Sequence, residues 1–219
     1  MPHLVRVPGG AFRMGSREGD AEAQPHEAAV NDFWMGRCEV TVGEYAEYLN
    51  SATPATAPAT GQLAFRAGRY VPRWGTRDKP VTHVSYDDAA AYCRWLGRRD
   101  NRAVRLPAES EWEYAARGGI ARARYPWGWG DPAGRACCCG RGPRRVGSFE
   151  PNPFGLYDMA GNVFEWCAAD AGSCTSGEAV ARGGSWAERD TRFLRVFHRA
   201  RFRRDYRDAD VGFRILVES

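Results

Sequence analysis

Arg182-Gly183-Gly184-Ser185-Trp186 and, near the end of the chain, Gly212-Phe213-Arg214 bracket the stretch on which the reading of this sequence turns. The two ends read as a fixed frame. Between them lies a segment crowded with arginine, aromatic and charged residues. A rigid frame around an adaptable surface is what a binding site needs, because a scaffold that is already ordered keeps the cost of ordering the contact residues low.

Working outward, the bulk properties bound the answer. A chain of 219 residues can bury a substantial core, and no linker divides it, so a single domain over residues 1–219 is expected. Apolar content of 43% and charged content of 26% are those of a soluble globular protein. No apolar run reaches the length of about 18 residues that a membrane span needs, and Met1-Pro2-His3-Leu4-Val5-Arg6 lacks the apolar core of a signal peptide. A cytoplasmic location without membrane insertion is the expectation. The net charge of +4 is modest, and nearly every cation is arginine, Lys79 being the only lysine. With Asn and Gln scarce, this is the pattern of a GC-rich genome and of thermophiles. The basic stripe Arg199, Arg201, Arg203, Arg204 and Arg207 is interleaved with Asp205, Asp208 and Asp210. It reads as a solvated, salt-bridged surface, and no nucleic-acid partner is expected. Cysteines number seven: Cys38, Cys93, Cys137, Cys138, Cys139, Cys167 and Cys174. An odd count without a signal peptide argues against a full disulfide framework. Cys38 and Cys93, in apolar neighbourhoods, read as buried thiols.

Leu4–Val7 reads as a strand, with Ala11–Gly15 as its returning partner. Residues 16–26 read as a loop and Ala29–Met35 as a further strand. Thr41-Val42-Gly43-Glu44 is a capping box, and Ser85 with Asp88 a second box-like start for a helix ending near Gly97. Residues 51–62 are loop. A third, short helix begins near Pro107, places Trp112, Ala115 and Ala116 on one face, and ends at Gly118-Gly119. Beyond it, short strands are expected over Val163–Trp166, Val180–Gly183, Leu194–Phe197 and Phe213–Val217. The result is an α+β domain with few helices, whose eight tryptophans have to hold a loop-rich half together.

Larger motifs carry a resemblance. Arg105-Leu106-Pro107-Ala108-Glu109-Ser110-Glu111-Trp112-Glu113-Tyr114-Ala115-Ala116-Arg117-Gly118-Gly119, Tyr125-Pro126-Trp127-Gly128 and Gly155-Leu156-Tyr157-Asp158-Met159-Ala160-Gly161-Asn162-Val163-Phe164-Glu165-Trp166 resemble the signature blocks of the formylglycine-generating-enzyme (sulfatase-modifying-factor) family, with Phe164 in place of the usual Trp. Cys38-Glu39-Val40-Thr41, Pro80–Ser85, Arg182–Trp186 and Gly212–Arg214 match further blocks. The resemblance covers nearly the whole chain and implies a C-type-lectin-like fold in its formylglycine-enzyme variant.

Fold does not decide activity here, because the family divides by function. The oxidase of the family uses two cysteines after the Gly-Gly-Ser-aromatic motif, a pair suited to copper(I). The matching positions are about Glu188 and Phe193, while Cys167 and Cys174 precede the motif. A carboxylate and a phenyl ring cannot stand in for soft thiolates. The family's iron-dependent sulfoxide synthases need three histidines, whereas His3, His26, His83 and His198 are scattered singly. The third reading is a binding protein without catalysis, similar to the variable proteins of diversity-generating retroelements. In these, error-prone reverse transcription randomises chosen codons at the 3′ end of the gene. Such chains end soon after the Gly-Phe-Arg motif, as this one does. The frame positions Leu194, Arg195, Arg199 and Arg207 are kept, and the residues around them depart from the family pattern. A variable binding region over 187–210 is expected, with Ala187, Glu188, Arg189, Asp190, Arg192, Phe193, Phe197, His198, Ala200, Phe202, Arg203, Arg204 and Tyr206 contacting the ligand. Aromatic and arginine side chains on loops suit that task. Phe193, Phe202, Arg203 and Tyr206 are expected in one solvent-facing patch. Phe197 stands equally as a core residue, since it alternates with Arg195 and Arg199. The ligand, an unknown protein or cell-surface molecule, is not identified by the sequence, nor is the oligomeric state.

No cofactor is required by this reading. The resemblance does imply a structural calcium held by the side chains of Asp158 and Glu165 and the carbonyls of Gly161 and Val163. The alternative is that the two carboxylates cap turns or pair with an arginine. A second family calcium site reads as lost, with Cys137 in place of an Asn. Cys137-Cys138-Cys139 reads as exposed loop cysteines or a local disulfide, with zinc the lesser alternative. Glu109 and Glu113 share a helix face and, by resemblance, pair with arginines of the frame, with Glu111 turned away.

Overall fold

The computed structural model describes residues 2–18, 24–52, 60–169 and 177–219. Both capping boxes form. The Thr41 amide donates to Glu44 Oε2 at 2.8 Å and the Glu44 amide returns to Thr41 Oγ1 at 3.2 Å, opening α1 (Val42–Ala52). Ser85 and Asp88 make the same reciprocal pair at the start of α2 (Tyr86–Asp100). This helix continues through Gly97, where the sequence suggests an end. It stops at Asn101, whose left-handed backbone (φ 50°) lets its amide bond back to the Gly97 carbonyl. α3 (Glu109–Arg117) closes on left-handed Gly118, as expected.

The strands depart further from the sequence reading. β1 (Leu4–Val7) is followed by β2 (Gly10–Met14), β3 (His26–Val30) and β4 (Phe33–Gly36). β1 pairs with β4, and β2 pairs with β3, so the expected β1–β2 hairpin is wrong. Val7 lies opposite Phe33, and both are buried in the core beneath α3, whereas Phe12 of β2 turns outward to meet Tyr114 edge-on. The long strand expected over 29–35 breaks at Asn31-Asp32, where Asp32 Oδ1 accepts the Gly9 amide at 2.7 Å. β5 (Leu63–Arg66) and β6 (Arg69–Pro72) form a hairpin against α1.

The remaining strands are β7 (Val104–Arg105), β8 (Phe164–Cys167), β9 (Glu178–Arg182), β10 (Ala200–Arg203), β11 (Val211–Gly212) and β12 (Leu216–Glu218). They complete two four-stranded sheets, β1-β4-β12-β7 and β10-β9-β8-β11. β11 runs parallel to β8, so the end of the chain joins both sheets. The strand expected over Leu194–Phe197 does not form; a 3-10 turn, Thr191–Leu194, runs into that stretch instead. Asp190 Oδ1 caps that turn by accepting the Arg192 amide at 3.0 Å. Val196 and Phe197 are buried in succession, which a strand with one solvated face would not do.

One core lies between α1, α2 and the second sheet and is rich in rings: Tyr45, Tyr92 and Phe213 meet within 6.3 Å of one another. A second core gathers Trp112, Leu156, Met159, Val196 and Phe197 under α3. The tryptophans do only part of the work expected of them. Trp112 and Trp166 are fully buried, but Trp74 and Trp129 are exposed. Polar side chains hold much of the loop-rich half: Asn152 donates to the carbonyls of Ala115 and Ala116 at the end of α3, and its Oδ1 accepts the amides of Phe154 and Leu156.

Candidate ligand-binding surface

The frame around the surface is a set of buried ion pairs. Arg182, 1% exposed, donates to Glu109 Oε2 at 3.2 Å and to Glu113 Oε2 at 3.1 Å. Arg199 grips Glu109 with two bonds of 2.5 and 2.7 Å, and Arg117 grips Glu113 at 2.6 Å. Burial alone would raise the Glu109 carboxyl, but Arg199 and Arg182 outweigh it and hold it below the usual range. Glu111 turns away to a bidentate pair with Arg105, both bonds at 2.7 Å. The three glutamates are therefore structural, as the resemblance implies.

Gly183 and Gly184 carry the chain from β9 to the surface with φ of 94° and 72°. A Cβ on Gly184 would stand 2.8 Å from the carbonyl oxygen of Phe193. The glycine thus lets the 3-10 turn seat directly on the frame. Trp186 donates from Nε1 to the Ala209 carbonyl at 3.0 Å, and Ser185 Oγ meets Asp210 at 3.4 Å. These contacts clamp the beginning of the intervening segment to its end.

The thirteen expected contact residues do not share one environment. Ala187, Arg189, Arg192, Phe193, Arg203 and Arg204 are exposed, and Glu188, Asp190, His198, Ala200, Phe202 and Tyr206 are half-buried. Phe197 is 4% exposed and belongs to the core beneath α3, so it is withdrawn from the surface. The remainder fall into two groups rather than one patch. The first runs from Ala187 to Phe193 and includes His198, whose ring meets Phe193 edge-on at 4.9 Å. In the second, Phe202 stacks on Tyr206 at 4.6 Å and presses edgewise on Phe164 and Trp166. Arg203 lies opposite Glu178 at the far end of β9, while Phe193 sits against Gly184 beyond the near end. The strand between them spans ~14 Å. Pairing explains the division: once Ala200 to Arg203 joins β9 as an edge strand, its residues are carried away from the turn.

The late arginines are paired, but of the three that follow only Arg203 takes an interleaved acid; Arg204 and Arg207 reach the start of α2. Arg203 binds Asp205 at 2.9 Å, Arg207 binds Asp88 at 2.8 Å, and Arg204 binds Asp87 at 2.5 Å while lying over the Tyr86 ring.

Glu188 and Phe193, about where the resemblance puts the family's paired cysteines, are half-buried and 37% exposed respectively. Burial, with Asp210 and Asp190 nearby, pushes the Glu188 carboxyl up. Cys139 borders this turn, its amide and Sγ both bonding the Glu188 carbonyl at 3.0 and 3.3 Å. Burial, then the neighbouring Cys139, pushes the Cys138 thiol up to about 11. A thiol held protonated is a weak nucleophile and metal ligand. Burial likewise lifts Cys38 and Cys93 to about 12, although Cys38 is only half-buried. Cys38, Cys93, Cys137, Cys138 and Cys139 are free thiols, and Cys174 lies outside the described residues.

Of the four groups expected to hold calcium, one carboxylate, Glu165, is engaged by an arginine. Arg214, fully buried, donates to both oxygens of Glu165 at 2.5 Å, and Trp112 Nε1 adds a bond of 2.7 Å. Glu165 thus takes the arginine-paired alternative. Asp158, left-handed at φ 55°, accepts the Gly147 amide at 2.6 Å. No group of three or more His, Cys, Asp or Glu among the described residues is placed to hold a metal. Glu39, which sequence reasoning missed, is buried beside this pair with Oε2 unbonded, and its other oxygen accepts Asn162 Nδ2 at 2.9 Å. Burial, then the nearby Asp158 and Glu165, raises its carboxyl well above the usual range.

With this geometry in hand, similarity places the chain. Residues 1–219 match the model of the sulfatase-modifying factor enzyme 1-like domain. The formylglycine-generating enzyme of Streptomyces coelicolor is 32% identical over 96% of this chain and 87% of its own length. The inactive C-alpha-formylglycine-generating enzyme 2 of Bos taurus is 34% identical over 91% of this chain and 80% of its own. The serine/threonine-protein kinase pkn1 of Chlamydia pneumoniae is 33% identical over 98% of this chain, which spans only 38% of that protein. Among solved structures, PvdO from Pseudomonas aeruginosa superposes with a TM-score of 0.83 at 29% identity, covering 100% of this chain and 95% of that one. Treponema denticola variable protein 1 superposes with a TM-score of 0.79 at 23% identity, covering 99% and 95%, a likeness of fold. No helix among the described residues is long and apolar enough to cross a membrane. The relatives include both active and inactive members, and this chain belongs to the formylglycine-generating-enzyme (sulfatase-modifying-factor) family, with its α+β, C-type-lectin-like fold.

Proposed function

We propose that this chain is a non-catalytic binding protein that presents a diversified surface on the family scaffold, in the manner of a retroelement variable protein. The observation that carries the reading is the pair of residues at the positions of the family's active-site cysteines. By the resemblance these are about Glu188, half-buried, and Phe193, exposed, and neither can ligate copper(I) as a thiolate does. The primary contact surface is Ala187, Glu188, Arg189, Asp190, Arg192, Phe193 and His198. Ala200, Phe202, Arg203, Arg204 and Tyr206 form a second arm along the sheet edge. Exposed Phe and Arg on a prebuilt frame suit a protein or cell-surface partner. Binding through this surface requires no cofactor, and a calcium ion in the Asp158–Glu165 segment would have to compete with Arg214 for Glu165.

The second reading, an oxidase or an accessory of one, is favoured by the 32% identity to an enzyme named as formylglycine-generating. One assay separates the two. The protein is incubated with copper(I), oxygen, a cysteine-containing peptide and a thiol reductant that supplies the second electron pair for reducing oxygen to water, and the peptide mass is followed. No change of mass is expected, and conversion of the cysteine to an aldehyde would overturn the binding reading.

A further inference from the structure

A cavity of about 410 Å3 opens between the end of β2, the turn after α3 and the buried ring of Phe197. Its size suits a small molecule, since such sites run from ~300 to 1,000 Å3. Among the described lining residues, positive charge predominates. Four arginines line it: Arg13, Arg17, Arg117 and Arg122. Arg117 is neutralised by Glu113, with bonds of 3.0 and 2.6 Å. Glu18, the one acid among the described lining residues, is drawn off by Arg124 at 2.6 Å. Arg13, Arg17 and Arg122 are left without a carboxylate partner among the described residues.

Arg192, Arg203, Arg204 and Arg207 each meet an acid, whereas the three cavity arginines converge on one another. Three like charges around one concavity repel each other and focus a positive potential into it. Arg122 is also fixed in a left-handed backbone conformation (φ 57°), unfavourable for a residue with a side chain. The same cavity has aromatic walls. Trp129 stands at its mouth 59% exposed, unusual for so large an apolar ring, and Phe197 forms its floor.

We propose that this cavity binds a small organic anion, an oxyanion group carried on an aromatic ring. Arg13, Arg17 and Arg122 take the oxyanion, for which the planar guanidinium is suited, and Trp129 and Phe197 take the ring. The site uses none of residues 187–193, so its failure leaves the reading of that surface untouched.

Isothermal titration with three probes tests it: phenyl phosphate, inorganic phosphate and uncharged benzamide. Phenyl phosphate is expected to bind, inorganic phosphate about tenfold more weakly, and benzamide without measurable heat. Arg13→Gln with Arg122→Gln should weaken phenyl phosphate about tenfold or more, and added salt should weaken it further. Trp129→Ala should erase the difference between phenyl phosphate and inorganic phosphate. All three side chains are exposed, so unfolding temperatures should match the parent; if the double variant melts early, Arg17→Gln and Trp129→Ala decide. The proposal is overturned if phenyl phosphate does not bind at millimolar concentration or benzamide binds as well. It is equally overturned if the remote pair Arg189→Gln and Arg203→Gln weakens binding as much, which would mean general attraction to an arginine-rich surface.

Discussion

Replacing Arg214 with methionine should be among the most damaging single changes the scaffold can suffer. The guanidinium is fully buried and makes four bonds: two to Glu165, one to the Gly36 carbonyl at 3.1 Å and one to the Tyr157 carbonyl at 3.0 Å. Methionine restores much of the volume, so the loss is electrostatic. Glu165, itself fully buried, would keep only the Trp112 indole as a donor. Stranding one partner of a buried pair costs ~3–5 kcal/mol, and two carbonyls deprived of a donor add ~1 kcal/mol each at most. Glu39 and Asp158 lose a stabilising charge as well. We expect a loss of ~4–6 kcal/mol, against a total stability of ~5–15 kcal/mol for a typical domain. At ~2–4 °C per kcal/mol for a chain of this size, the unfolding midpoint should fall by ~10–20 °C. Urea unfolding of Arg214→Met, Glu165→Gln and the double variant forms the decisive cycle. Glutamine removes the charge and still offers Trp112 an acceptor, so the double variant should be at least ~2 kcal/mol more stable than additivity requires. A cost below ~1 kcal/mol for Arg214→Met, or simple additivity, would refute the reasoning that removing Arg214 strands the buried Glu165 carboxylate.

Other consequences are equally open to measurement. Gly184→Ala combines an unfavourable φ with a clash against the Phe193 carbonyl, and should cost ~1–3 kcal/mol in denaturant unfolding while speeding amide exchange over 187–193. Phe193→Ala should change stability by less than ~1 kcal/mol, whereas Phe197→Ala should cost ~3–5 kcal/mol; equal costs would mean that the surface and core assignments are wrong. Ser85→Ala should cost ~1 kcal/mol through loss of the α2 cap. Glu109→Gln should follow pH in a defined sense. The folded carboxyl is held below its ordinary value of 4.5, so its contribution is fully present above that value and is lost as pH falls through the lowered one. The gap between parent and variant in urea unfolding should therefore be widest near pH 7 and close in acid.

What was legible in the sequence was local chemistry. Thr41 with Glu44, and Ser85 with Asp88, specify helix starts through their own side chains, and both form. Gly118 ends α3 for a similarly local reason. Strand partners were not legible, because pairing β1 with β4 depends on where Val7 and Phe33 find a common core. The hairpin of β5 and β6 escaped notice for want of an alternating apolar pattern: Arg66 and Arg69 flank its turn and Phe65 is exposed. At the surface, the exposed residues Ala187, Arg189, Arg192 and Phe193 were recognisable from composition. Their separation from Arg203 was not, since it follows from the register of β10 on β9. Phe197 went both ways because period-two alternation describes a strand and a buried turn alike over four residues. The three arginines of the cavity come from β2, the loop after it and the turn after α3, and no spacing announces their meeting.

The binding account is tested most directly by sequencing this gene across a population of its host, together with the DNA beside it. Substitutions should concentrate in the codons for Ala187 to Tyr206. Those for Arg182–Trp186, Leu194, Arg199 and Gly212–Arg214 should be invariant, with a near-identical template repeat and a reverse-transcriptase gene close by. Changes spread evenly over frame and surface, with no repeat nearby, would contradict it.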